Sequence, residues 1–147
     1  MTTVIIGGSG MLLKATEWMI EKEDTSVILC SRNPNKYGHL IVEKNVCFHY
    51  FDFQDPKSYE ALKNSINLNY ISTLLVWVHS PYYEMLNDFM NQFDFKNIYL
   101  VQGSTSRTFS FDKQVQIIKL GKHPYENRWL TQEEISDLVI NVIRHDY

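Results

Sequence analysis

The 147-residue chain reads as an α/β domain of three layers: a doubly wound, mainly parallel sheet of about six strands with helices on both faces. Two observations predict this class. Short β-branched runs alternate with stretches of helical period, the pattern of βαβ units. Several of those runs are almost unbroken in apolar residues, as strands covered on both faces must be. A chain of this length can bury one sizeable core, and no linker, repeat or low-complexity segment divides it. Residues 1–147 are therefore read as one domain.

The first strand is expected at Thr2 to Ile6. A helix follows from about Met11 to Lys22, with Leu12, Ala15, Thr16, Met19 and Ile20 on one face. Ser26 to Cys30 makes the second strand, and Asn33-Pro34-Asn35 breaks the chain after it. Lys36 to Asn45 is weakly patterned and fits a short helix or an open connection equally. The third strand, Val46 to Phe51, leads to Asp55 and Pro56, the N-cap and first residue of a helix reaching about Ile66. The fourth, Ile71 to Val78, is nearly all apolar. Ser80-Pro81 then opens an amphipathic helix, Ser80 as its cap, with Tyr82, Met85, Leu86, Phe89, Met90 and Phe93 facing inward. Asn97 to Gln102 and Gln114 to Leu120 are the fifth and sixth strands, the direction of the last left open. Thr131 and Glu134 form a capping box for a closing helix, with Leu130 and Ile135 at the staple positions. Ile135, Leu138, Val139, Val142 and Ile143 continue its buried stripe.

The formal net charge is -3 and no run of Lys or Arg stands out, so nucleic acid is not an expected partner. No apolar stretch approaches the roughly 20 residues that span a bilayer. The N-terminus enters a strand at once, with neither a basic region nor a small-residue cleavage site. No membrane partner is expected, and cytoplasm is the expected compartment. Cys30 lies near the end of one strand and Cys47 near the start of its expected neighbour. Parallel alignment would separate them by roughly 10 Å, beyond disulfide reach. Both are read as buried, reduced thiols.

Gly7-Gly8-Ser9-Gly10 lies where the first strand meets the first helix. Glycines there let the backbone approach a pyrophosphate, whose charge faces the free N–H groups of the helix start, where Met11 and Leu12 also stand. The turn therefore points to a Rossmann-type site for a dinucleotide. Leu13 replaces the third glycine of the usual spacing, which normally permits close packing of helix on strand, so a displaced helix or an altered turn is expected. Where the second strand ends, NAD-preferring sites place a carboxylate on the ribose 2′-hydroxyl. Here the strand runs into Ser31-Arg32-Asn33. A hydroxyl and a guanidinium suit a 2′-phosphate, so NADP (NADPH) is favoured over NAD; the alternative is a solvated turn residue at Arg32. Asp52 and Phe53 follow the third strand, where the adenine would lie. Asp52 either accepts from the adenine amino group or helps to cap the next helix.

Together these segments resemble the short-chain dehydrogenase/reductase superfamily. The matching residues are Val4-Ile5-Ile6-Gly7-Gly8-Ser9-Gly10-Met11-Leu12, Cys30-Ser31-Arg32-Asn33 and Asp52-Phe53-Gln54-Asp55. The tail Arg128-Trp129-Leu130-Thr131-Gln132-Glu133-Glu134-Ile135 is similar to the closing helix of some reduced bacterial members. The resemblance implies an NAD(P)-dependent oxidoreductase. Its catalytic set, a Ser with a Tyr and a Lys four positions later on the helix after the fifth strand, has no counterpart here. Only Tyr59 and Lys63 match that spacing, and they follow the third strand. Gly103 to Lys113 is too short for the catalytic helix.

The loops after the fourth and fifth strands still converge on the cofactor edge in such a sheet. A carbonyl reduction needs hydride from the cofactor and a nearby proton donor. His79, Ser104 and Tyr82 are the candidates for it, and His79 also lies where it can touch the cofactor. The competing readings are a strand-end His79 bonded to backbone, a Tyr82 in the buried stripe and a Ser104 that solvates a turn. Arg128-Trp129 fits either the substrate side or an anchor for the last helix. No metal is expected, since the histidines lack ligand spacing. Two functions remain: an atypical NADPH-dependent reductase of a small carbonyl or unsaturated substrate, and a non-catalytic NADP-binding sensor or regulatory protein. A structural domain with no nucleotide would make the glycine turn incidental. The helix after the fourth strand can pack on a twin or on its own chain, which leaves a homodimer open.

Overall fold

The computed structural model describes residues 1–22, 24–66 and 70–146. Among these residues six strands form one sheet: β1 Thr2–Ile6, β2 Ser26–Ser31, β3 Val46–Tyr50, β4 Tyr70–Val76, β5 Asp94–Gln102 and β6 Gln116–Lys119. Their order is β3-β2-β1-β4-β5-β6 and every pairing is parallel, the sixth strand included. The three-layer, doubly wound α/β class expected from the sequence is thus the observed one. All carboxyl ends lie along one edge, and the chain order reverses between β1 and β4, opening a crevice there.

Alternation along the strands divides the core in two. Ile5 and Leu29 face one layer, and Val4, Ile6 and Cys30 face the other. The first layer holds α1 (Leu13–Ile20), a 3-10 segment (Pro34–Val42) and α4 (Gln132–Arg144). The second holds α2 (Pro56–Ser65) and α3 (Tyr83–Met90). The expected inner face of α1 is fully buried, from Leu12 through Ala15, Thr16, Met19 and Ile20. Asp55 caps α2 by accepting from Lys57 N–H at 3.0 Å, ahead of Pro56. Among the described residues no helix is long and apolar enough to cross a membrane.

Three expectations are corrected. Ser80 does not cap the helix after β4: a 3-10 turn, Ser80–Tyr82, comes first, and His79 holds its cap position without a side-chain bond. The reason is that the 3-10 turn takes Ser80 inside the winding, where its backbone carbonyl accepts from Tyr83 N–H. The tighter 3-10 winding also shifts the helical phase. Tyr83, at 1% exposure, takes the buried place expected of Tyr82. Cys47 is exposed rather than buried, because β3 is an edge strand only half covered by neighbours; Cys30 is buried as expected.

Residues 103–115, between β5 and β6, contain no helix. Phe109 and Phe111 pack on each other at 4.7 Å and on Tyr83, which seals the second layer. Asp112 fastens the segment to α3: its carboxylate accepts from Asn87 and Asn91, and its N–H donates to Asn87.

Candidate functional site

The carboxyl edge of β1 leaves the sheet through the glycine turn. Gly7 and Gly10 have φ of +77 and +63, the left-handed region that glycine alone enters without cost. A Cβ on Gly7 would also stand 2.8 Å from the Trp77 carbonyl oxygen. Neighbouring strands hold this exit in place: Gly7 N–H donates to Cys30 and Trp77 N–H to Ile6. The first helix then begins as a 3-10 turn, Gly10–Leu12, before α1. The N–H groups of Gly10 and Met11 precede the first helical bond, made by Leu12 N–H to Ser9, and with no backbone acceptor among the described residues they can meet an anion.

Gly8 resolves the missing third glycine. A Cβ there would lie 2.5 Å from Thr16 Oγ1 and 2.6 Å from Ile5 Cγ2. Gly8 therefore permits the close approach of helix and strand, and Leu13 stands half-buried at the position left over. The altered turn expected from Leu13 is the 3-10 entry.

A cavity of about 130 Å³ opens beside this turn. Gly7 and Ser9 form one wall, and Ser31, Arg32 and Asn33 at the end of β2 form the next. Phe51, Phe53 and Trp77 line the side towards β3 and β4. Lys36, which sequence reasoning missed, also reaches the cavity. The Asn33 side chain accepts from Asn35 N–H at 3.0 Å, starting the 3-10 segment that carries Lys36 back beside Arg32. The only prior signal was Lys36 standing four positions after Arg32. A larger groove of about 610 Å³ lies between Asp94–Ile98 and Lys113–Gln116, at the amino ends of β5 and β6. It has no glycine turn and sits at the wrong edge for this fold's ligands.

Behind the wall lies a second missed residue. Tyr37 is 2% exposed, and among the described residues its hydroxyl meets no partner in hydrogen-bond geometry. Burial pushes its pKa up, and the nearby hydroxyls of Ser31 and Ser9 and the Gly8 backbone act against that push.

The remaining site residues divide. Phe53 lines the cavity and meets both His79 and Tyr82, with ring centroids 5.4 and 5.2 Å away. His79 is exposed and Tyr82 half-buried at that edge. Ser104 sits in an exposed turn closed by Ser106 N–H to Gly103. Among the described residues no hydrogen bond or ring contact joins it to His79 or Tyr82. Asp52 accepts from Gln54 N–H at 3.0 Å and does not line the cavity. Leu12 is turned wholly into the core, and Met11 lies outside the cavity with its carbonyl accepting from Ser136. Tyr59 is buried between Phe51 and Phe89 on α2, its hydroxyl donating to the Phe53 carbonyl, away from any reacting group. Arg128 proves an anchor: its guanidinium donates to both Glu134 oxygens and holds that carboxyl at about 2. Glu134 also closes the expected capping box with Thr131.

Neither a family model nor a curated protein matches the sequence. Solved structures do match the fold. A short-chain dehydrogenase/reductase (wide type) from Veillonella parvula, in complex with NADP, aligns with TM-score 0.63 at 10% identity over 97% of this chain and 86% of that one. An alcohol dehydrogenase from Thermococcus sibiricus, complexed with 5-hydroxy-NADP, aligns with TM-score 0.58 at 10% identity over 97% and 90%. A second, ethylated Veillonella parvula short-chain dehydrogenase/reductase aligns with TM-score 0.54 at 14% identity over 70% of this chain, and the match spans only 47% of that protein. The chain has the Rossmann-type fold of the short-chain dehydrogenase/reductases.

Proposed function

We propose that this chain binds NADP(H) at the carboxyl edge of its sheet and is an atypical reductase of a small carbonyl or otherwise unsaturated substrate. One observation carries the binding reading: Arg32 and Lys36 line the cavity beside the glycine turn, and among the described residues no carboxylate lines it. A ribose 2′-hydroxyl calls for a carboxylate there, and a 2′-phosphate calls for cations. Arg32 offers a bidentate fork and Lys36 a mobile point charge. Neither has an ion-pair partner among the described residues. The backbone at Gly10 and Met11 suits a pyrophosphate, and Phe53 and Trp77 give apolar walls. The donor set therefore fits the cofactor. The NADP and 5-hydroxy-NADP complexes of the two aligned structures lend support through the fold they share.

The cofactor, when bound, supplies hydride. His79 and Tyr82 flank Phe53 at the same edge. Either the imidazole N–H or the phenol can give a proton to a substrate oxygen, and Ser104 can donate a hydrogen bond from the next loop. A second reading, a non-catalytic NADP sensor, draws on the helix-free segment 103–115 and the internally bonded Tyr59 hydroxyl.

Calorimetric titration with NADPH, NADP, NADH and NAD tests both readings. Absence of binding to all four ends both. Binding with no NADPH oxidation across a carbonyl panel leaves the sensor. Turnover that falls in His79→Ala or Ser104→Ala establishes the reductase.

A further inference from the structure

Tyr37 and Tyr83 carry buried hydroxyls without a hydrogen-bond partner among the described residues, and only Tyr37 lies at the site. Its ring belongs to the core around Ile5, Leu12, Leu29 and Leu40 and meets the edge of Phe48 at 6.1 Å. The side chain is therefore fixed, and its hydroxyl cannot turn to water. A phenylalanine would fill the same space without stranding a polar group, so the hydroxyl burdens the empty protein. It lies close to Ser31, Ser9 and Gly8. Ser31 and Ser9 line the cavity, and Tyr37 stands behind them. The Ser31 hydroxyl is itself poorly engaged, reaching only the Asn33 carbonyl at 3.5 Å, the outer limit for such a bond.

We infer that Tyr37 is a positioning residue for the 2′-phosphate of the ligand, acting through the Ser31 hydroxyl. The inference rests on the NADP reading above. A phosphate oxygen entering beside Arg32 and Lys36 draws the Ser31 hydroxyl away from Asn33 and accepts its proton in a hydrogen bond. The Ser31 oxygen then accepts from Tyr37. Ser31 accepts once and donates once while Tyr37 donates, so the chain runs one way from Tyr37 through Ser31 to the phosphate. A ligand lacking the 2′-phosphate leaves the chain open. Tyr37 thereby discriminates between the two dinucleotides without touching either.

Tyr37→Phe keeps the ring and removes only the hydroxyl. Wild type and variant are titrated calorimetrically with NADPH, NADH and 2′,5′-ADP, and both are melted without ligand. The variant is expected to bind NADPH and 2′,5′-ADP about five- to tenfold more weakly. Its NADH affinity is unchanged, and it melts at or above wild type. Ser31→Ala weakens NADPH in the same way, and the double variant is no weaker than Ser31→Ala alone. Unchanged NADPH affinity in Tyr37→Phe overturns the inference, as do equal losses on NADPH and NADH or additive losses in the double variant. A variant melting well below wild type also overturns it, because the hydroxyl would then have a partner in the empty protein. Wild type that binds none of the three ligands removes the NADP reading itself, before any variant is compared.

Discussion

The hydroxyl of Thr16 donates to the Gly8 carbonyl at 2.8 Å, and its oxygen occupies the space a Cβ on Gly8 would need. Helix and glycine turn are locked together at this point. Gly8→Ala is expected to force them apart and to destabilise the fold by about 1–3 kcal/mol, the usual cost of overpacking. Thr16→Val keeps the bulk and loses the hydrogen bond, costing about 1 kcal/mol. Urea denaturation measures both, and Gly8→Ala should also weaken NADPH because the turn itself moves.

Removing either cation should separate the two cofactors. Arg32→Ala and Lys36→Ala each lose a charge-assisted contact, and NADPH affinity should drop about tenfold or more. NADH should change little. The salt dependence of NADPH binding should flatten in each variant. Equal losses on both cofactors would place the cations elsewhere on the ligand.

Ser136, 1% exposed on α4, donates to the Met11 carbonyl at 2.8 Å and accepts from Ala15 N–H at 3.2 Å. One hydroxyl thus ties the closing helix to the start of the first. Ser136→Ala takes this partner from the buried Ala15 N–H and from the part-buried Met11 carbonyl and should cost about 1–3 kcal/mol. Thermal unfolding checks the cost, and a parallel loss of NADPH affinity would show that α4 steadies the phosphate turn.

Glu134 should give the fold an acid-sensitive corner. Arg128 and the Thr131 cap hold its carboxyl at about 2, below its ordinary 4.5. The unfolded chain therefore binds the proton more readily than the folded one. The stabilisation is fully present above about pH 4.5 and is lost as pH falls towards about 2. Melting temperatures recorded from pH 6 down to 2 should fall more steeply for wild type than for Glu134→Gln. At neutral pH Glu134→Gln should melt lower, because the ion pair is gone. Asp112, held low by Asn91 and Asn87, adds to the same acid slope and loosens segment 103–115.

The strands, the mainly parallel sheet and the capping box were legible because each rests on local pattern: apolar runs, the glycine turn and Thr131 three positions before Glu134; the direction of the sixth strand was not. Side-chain placement after a proline was not. Tyr82 and Tyr83 are adjacent, and one 3-10 turn decides which of them is buried. Lys36 and Tyr37 were hidden in a segment whose period is interrupted at Gly38, where φ is +57. Consequently the cations of the site were half legible and its buried hydroxyl was not. Cys47 was misjudged because an apolar run does not reveal which strand forms the edge.

That edge strand makes the protein a convenient object for thiol chemistry. Of its two cysteines, Cys47 faces water, and Cys30 is sealed in the core, where burial raises its thiol pKa far above neutrality. A maleimide dye or spin label should therefore enter at one position without mutagenesis. Cys30 also borders the cavity. Its slow alkylation would become a clock for the opening of β2, one that a bound nucleotide should stop.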